Sequence, residues 1–80
     1  MLSQLSTATK VVGVKQSKKA ICDGAAKMVF IAADAERRIT DPIRVLCEQH
    51  NVDITEASSM KKLGEAVGIA VGAAVVAVTE

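Results

Sequence analysis

An α/β fold, a three-layer α/β/α sandwich on a central mixed sheet of about four strands, is predicted by three features of this sequence. Short apolar runs alternate along the chain with segments of helical period. The helical segments stop at residues that suit helix ends, Gly24, Asn51 and Gly68. Half of the residues are apolar, chiefly Ala, Val and Ile with Phe30 the sole aromatic, so the core must be assembled from small, branched side chains. Eighty residues allow one small domain, residues 1–80, burying roughly 60–65% of the surface of its unfolded chain. A second core is out of reach.

Taken in order, Leu2, Leu5 and Thr9 share one side of a short opening helix that is expected to fray. "VVGV", residues 11–14, reads as a brief strand, and the helical stretch after it runs from about Lys15 to Asp23 and stops at Gly24. "KMVFIAAD", residues 27–34, is a continuous apolar run closing on an acid, the pattern of a strand covered on both faces. Asp41 before Pro42 offers an N-cap and a proline at the first helical position. Ile39, Ile43, Leu46, Cys47 and His50 then recur at helical spacing, so this helix is expected to bury that face and to end at Asn51. Val52 and Ile54 alternate with Asp53 and Thr55 in a partly exposed strand. Ser58 or Ser59 caps a helix whose inner side is Leu63, Ala66 and Val67, and the closing strand spans about Ala73 to Thr79.

The net charge of +1 conceals a gradient: residues 1–38 carry seven Lys or Arg against three acids, and residues 39–80 carry three against six. Such asymmetry gives the molecule a directional field able to orient it on a polyanion. The apolar stretch "VGIAVGAAVVAV", residues 67–78, comes with Gly64, Gly68 and Gly72 at the GxxxG interval, but a spanning helix needs about 20 residues, so a buried strand entered through a glycine-containing loop is expected and no membrane partner. Two cysteines make no disulfide framework, and no basic segment leads an apolar run at the N-terminus; a reduced, cytoplasmic protein is expected.

At 100° per residue, Lys15, Lys18, Lys19 and Cys22 fall on one face of the helix after Gly13, with Ser17, Ala20 and Ile21 opposite. A solvated charged face is the ordinary reading of a lysine triplet. Here the lysines follow a strand and a glycine at a helix N-terminus, where backbone N–H groups already attract anions, and phosphate oxygens would answer both. A nucleotide loop is excluded, since GxxxxGK and GxGxxG are absent. Cys47 and His50, three apart, have no second ligand pair and read as core. Asp34 and Glu36 stand at the end of a central strand, where α/β sheets bind ligands, and form a candidate carboxylate pair; they read more readily as a polar strand end neutralised by Arg37 and Arg38. No Ser/His/Asp set is visible, so neither an enzyme nor a cofactor is expected.

The stretches "GVKQSKKA" at 13–20, "VFIAADAE" at 29–36, "LCEQHNV" at 46–52 and "SSMKKLGEAVGIAVGAA" at 58–74 together resemble the kink-turn-binding ribosomal protein superfamily. That group contains the archaeal L-seven-Ae protein, eukaryotic L-thirty and the core protein of box C/D particles, and the likeness is to its short bacterial members. The resemblance implies a non-catalytic, monomeric RNA-binding protein that clamps a kinked duplex at tandem sheared G·A pairs, in ribosomal or other structured RNA. The family motif GxNExxK, whose polar residues touch guanine edges and phosphates, matches Gly13, Lys15, Gln16 and Lys19. Lys15 offers only donors where the family has Asn, and Gln16 puts a neutral amide in place of a carboxylate. Val14 and Lys18 complete the implied contact helix. Glu36 matches the family's acid near the flipped-out nucleotide, with Arg37 within reach of the backbone. The apolar loop that covers the extruded base matches Ile69, Ala70, Val71 and Gly72, and Met60 stands where many relatives carry a basic residue, beside Lys61 and Lys62.

Two rival functions are compatible with the same residues: a protein-interaction module using the apolar loop 69–74, and a small ligand-binding or hydrolytic protein with Asp34 and Glu36 at its site.

Overall fold

The computed structural model describes residues 9–79. The expected opening helix on Leu2 and Leu5 lies outside the described residues. Within them the order is β1 (Lys10–Val12), α1 (Val14–Cys22), β2 (Met28–Ala32), α2 (Arg37–Gln49), β3 (Asp53–Ala57), α3 (Met60–Ala66) and β4 (Val75–Val78). The strands form one mixed sheet in the order β1-β4-β2-β3, with β4 antiparallel to both neighbours and β2 parallel to β3.

The two central strands are apolar on both faces because helices cover both. Val29 and Ile31 of β2, with Val75 and Ala77 of β4, pack under Ala20 and Ile21 of α1 and Ile43 and Cys47 of α2. The alternate residues, Phe30 and Ala32 with Val76 and Val78, turn to the other face and meet Leu63 of α3. Ile21, Ile31, Ile43 and Leu63 are fully buried. Each such side chain contributes about 1.5–3 kcal/mol by leaving water, so the helix faces are set by these contacts more than by propensity.

Several boundaries differ from the sequence expectation, beginning with the opening strand, which is Lys10–Val12 rather than 11–14 because the chain turns at Gly13 and Val14 already belongs to α1. The second long helix begins at Arg37, with Glu36 preceding it, and Pro42 lies inside it. Glu36 carbonyl accepts from the N–H groups of Ile39 and Thr40, which starts the helix one turn early. Pro42, past the first turn, has no N–H for the carbonyl of exposed Arg38 and its ring crowds that oxygen, a local cost that the helix carries. His50 is exposed at the C-terminal boundary rather than part of the core, because the chain turns away through Asn51 at φ 56°. The last strand is Val75–Val78, shorter than Ala73–Thr79, because Ala73 N–H is drawn to the Met60 carbonyl at 3.0 Å instead of into the ladder.

Candidate functional site

β1, β2 and β3 run in the same direction, so their carboxyl ends lie along one edge of the sheet, together with the start of β4. Hydrogen bonds tie the segments there: Gly13 N–H to Val75 carbonyl at 2.9 Å, Ala32 N–H to Ala74 carbonyl at 2.9 Å, and Ala33 N–H to Ala57 carbonyl at 2.8 Å. The N-termini of α1, α2 and α3 and the loop 69–74 are therefore neighbours, although they come from stretches far apart in sequence.

α1 divides as its periodicity predicts. Ser17, Ala20 and Ile21 are buried, and Lys15, Gln16, Lys18, Lys19 and Cys22 are exposed. Gly13, at φ 107°, turns the chain from β1 into this helix, a conformation that L side chains rarely adopt, and its carbonyl receives the Ser17 N–H at 3.0 Å. Val14 is half-buried against the helix-side core, so of the residues singled out on α1 it packs rather than projects.

The turn after β2 separates the two candidate carboxylates. Asp34 Oδ1 accepts the backbone N–H of Met60 at 2.7 Å, capping α3. Glu36 accepts from Arg38 Nε at 2.6 Å, an exposed pair. Each acid thus has its own structural partner, which argues against a shared acid–base site. Arg37 is exposed beside them.

The loop before β4 is held from both ends: Ile69 N–H donates to Gly64 carbonyl at 3.0 Å, and Ala73 N–H to Met60 carbonyl. It is not uniformly exposed. Ile69 is half-buried against the core on the α3 side, whereas Ala70, Val71 and Gly72 face solvent, with Val71 71% exposed. Single exposed apolar side chains are ordinary on protein surfaces; what sets Val71 apart is its place on a hydrogen-bonded loop at the basic edge.

Electrostatically, the edge is rich in cations at the helix starts, with the Asp34 carboxylate on the first N–H of α3 and Glu36 just before α2 as the acids beside them. None of the helices has an acid in its first turn, while Lys15, Arg37, Arg38, Lys61 and Lys62 stand there, all exposed. Positive charge at the positive end of a helix is mildly destabilising and becomes favourable only with an anion between the termini. The sequence marks the lysines of α1 as a group, whereas Arg37 and Arg38 read there as neighbours of the acids and Lys61 and Lys62 as neighbours of Met60. The signal lies in "ERRI", a basic pair directly after the residue that precedes the helix, and in "SMKKL", a basic pair one residue beyond the capping serine.

Other chemistry finds no support. Among the described residues no group of three His, Cys, Asp or Glu stands together as a metal site. Cys47 is buried and burial pushes its thiol pKa up, with the Arg44 charge opposing weakly, the reverse of what activates a nucleophile. A cavity of about 420 Å³ lies between α2 and the ends of β2 and β3, bordered by Arg37, Thr40, Asp41, Arg44 and Glu56; Arg44 and Glu56 face each other there at 3.3 Å. Among the described residues no helix is long and apolar enough to cross a membrane.

The sequence model of the ribosomal protein L7Ae/L30e/S12e/Gadd45 family matches residues 2–80. An RNA-binding protein of Geobacillus sp. strain WCH70 is 43% identical over 74 residues, covering 92% of this chain and 90% of that protein. RNA-binding protein YbxF of Geobacillus stearothermophilus is 43% identical over 68 residues, 85% of this chain and 83% of its own. Among solved structures, a Bacillus halodurans protein of unknown function shares the fold at TM-score 0.91 and 23% identity, over 99% of this chain and 83% of that one. The 15.5kD RNA binding protein of Giardia lamblia does so at TM-score 0.88 and 26% identity, over 99% and 68%.

Proposed function

The chain belongs to the ribosomal protein L7Ae/L30e/S12e/Gadd45 family, and from that membership we propose that it is a non-catalytic RNA-binding protein that recognises kink-turns in structured RNA, ribosomal RNA among them, acting as a cytoplasmic monomer. The observation that carries the reading is the basic edge: exposed cations at the first turns of three helices, set around an apolar loop and outnumbering the Asp34 and Glu36 carboxylates beside them. A bent polynucleotide supplies phosphates to the cations and an unstacked base to the loop. Its relatives named RNA-binding proteins support the polynucleotide, and the exposed Val71 supports the base.

In this reading α1 lies in the groove at the sheared G·A pairs. Lys15 and Lys19 donate to phosphates or to guanine O6 and N7, and Gln16, able both to donate and to accept, reads a base edge. Glu36 and Arg37 flank the flipped-out nucleotide, and Ala70, Val71 and Gly72 close over it while Ile69 anchors the loop to the core. Binding energy from these contacts offsets the cost of holding the duplex bent.

A gel-shift with a standard kink-turn beside a control whose G·A pairs are converted to Watson–Crick pairs tests this. Clear preference for the kink-turn is expected, and Gln16→Ala is expected to lose about 1–3 kcal/mol on the kink-turn but not on the control. Equal binding to both RNAs would refute the reading.

A further inference from the structure

Met60 is a junction of three segments of the basic edge. Its N–H donates to Asp34 Oδ1 at 2.7 Å and its carbonyl accepts from Ala73 N–H at 3.0 Å. Gly72 packs on it so closely that a Cβ there would lie 3.1 Å from Met60 Cβ. On the next turn of α3, the bare Cα of Gly64 makes room for the Val71 carbonyl. Loop and helix are thereby locked as one body.

α3 is capped twice, and the two caps differ. Ser59 Oγ accepts from Lys62 N–H at 3.1 Å, the ordinary local cap. The second cap comes from Asp34, 26 residues away in the turn after β2, and gains strength from the carboxylate charge. The local cap takes only the Lys62 N–H, one of the four donors that a helix start leaves free, so the Met60 N–H is held by the remote carboxylate alone. That bond fastens the α3–loop body to the turn that carries Glu36 and Arg37.

We infer that Asp34 is a positioning residue for the apolar loop: through the main chain of Met60, its carboxylate sets where Val71 stands relative to Glu36 and Arg37, without touching RNA itself. The inference rests on the proposed reading of that loop as the cover of an unstacked nucleotide. A loop placed in advance need not be ordered at the moment of binding, and affinity rises accordingly.

Two measurements on the full chain test it, using Asp34→Ala and Asp34→Asn, the second of which keeps an acceptor oxygen at similar reach. In amide hydrogen exchange without RNA, Asp34→Ala is expected to speed exchange at Met60 and Ala73 by about tenfold. Ala32, whose N–H bonds Ala74 at the end of the same loop, should hold its rate, and Asp34→Asn should restore most of the protection. Uniform acceleration, or none, would overturn the positioning contact. In binding, Asp34→Ala is expected to lose about three- to tenfold on a kink-turn and under about twofold on the same RNA lacking the unstacked nucleotide. Equal loss on both RNAs would overturn the inference while leaving kink-turn recognition standing. If the wild-type protein itself ignores the G·A pairs, the proposed function fails, and the exchange data alone decide the contact.

Discussion

Replacing Gly64 with Ala sets two opposed effects against each other. In a helix interior, Ala is favoured over Gly by about 1 kcal/mol, so an ordinary helical Gly→Ala change stabilises. Gly64 is buried, however, and a Cβ there would overlap the Val71 carbonyl oxygen and lie 3.1 Å from both Val71 C and Gly72 Cα. These are main-chain atoms, pinned by the bonds from Ile69 N–H to Gly64 and from Ala73 N–H to Met60, so they cannot rotate aside as a side chain would. Overpacking of this kind costs about 1–3 kcal/mol, and rigid backbone puts the cost in the upper part of that range. The net expectation is destabilisation by about 1–2 kcal/mol, a fall in Tm of about 5–10 °C for a domain of this size. Urea denaturation and thermal melts followed by circular dichroism measure it. Gly68→Ala is the control: it has φ +80° and open space around its Cβ, so it pays backbone strain without pushing on the loop. A Gly64→Ala protein that melts above wild type would refute the claim that helix and loop are locked together by close approach.

Three further outcomes are expected. If Lys15 and Lys19 each neutralise a phosphate, Lys15→Ala and Lys19→Ala should each reduce the slope of log affinity against log salt by roughly one unit on kink-turn RNA; an unchanged slope removes that lysine from the interface. Ser17 Oγ is fully buried and finds no hydrogen-bond partner among the described residues, so Ser17→Ala should stabilise by up to about 1 kcal/mol in denaturant, and a loss of that size would contradict the packing described. Because burial raises the Cys47 pKa, the unfolded thiol ionises first, above about pH 8.5. The unfolded state then holds fewer protons than the folded one, so stability present below that pH falls as pH rises through it, and Cys47→Ala should flatten this part of the stability profile. Identical profiles would sink the argument.

Much of the fold is legible in the residues because both periods are unusually clean. Alternate positions of 29–32 and 75–78 face opposite helices, as runs apolar at every position require. Lysines and inward residues of α1 separate at 100° as expected. The misplaced start of α2 shows a local signal losing to a tertiary one: Asp41–Pro42 has the chemistry of a helix start, but Ile39 and Thr40 gain burial by joining the helix one turn earlier. His50 lies on the correct stripe yet past the last helical residue, where the stripe no longer faces the core. Asp34 and Glu36 looked alike because two acids two residues apart carry no mark of which one caps a helix 26 residues on. Gly64 did carry a mark: a glycine inside a seven-residue helix is costly unless something must come close.

By itself the chain's order of residue types determined which segments become strands or helices, which sides they bury, and that lysines gather at the beginning of α1, since each of these depends on neighbours within a few residues. Only the tertiary structure decided that three helix beginnings and one apolar loop share an edge. That follows from β4 inserting between β1 and β2 in the opposite direction, a pairing of distant backbone groups that no local period records.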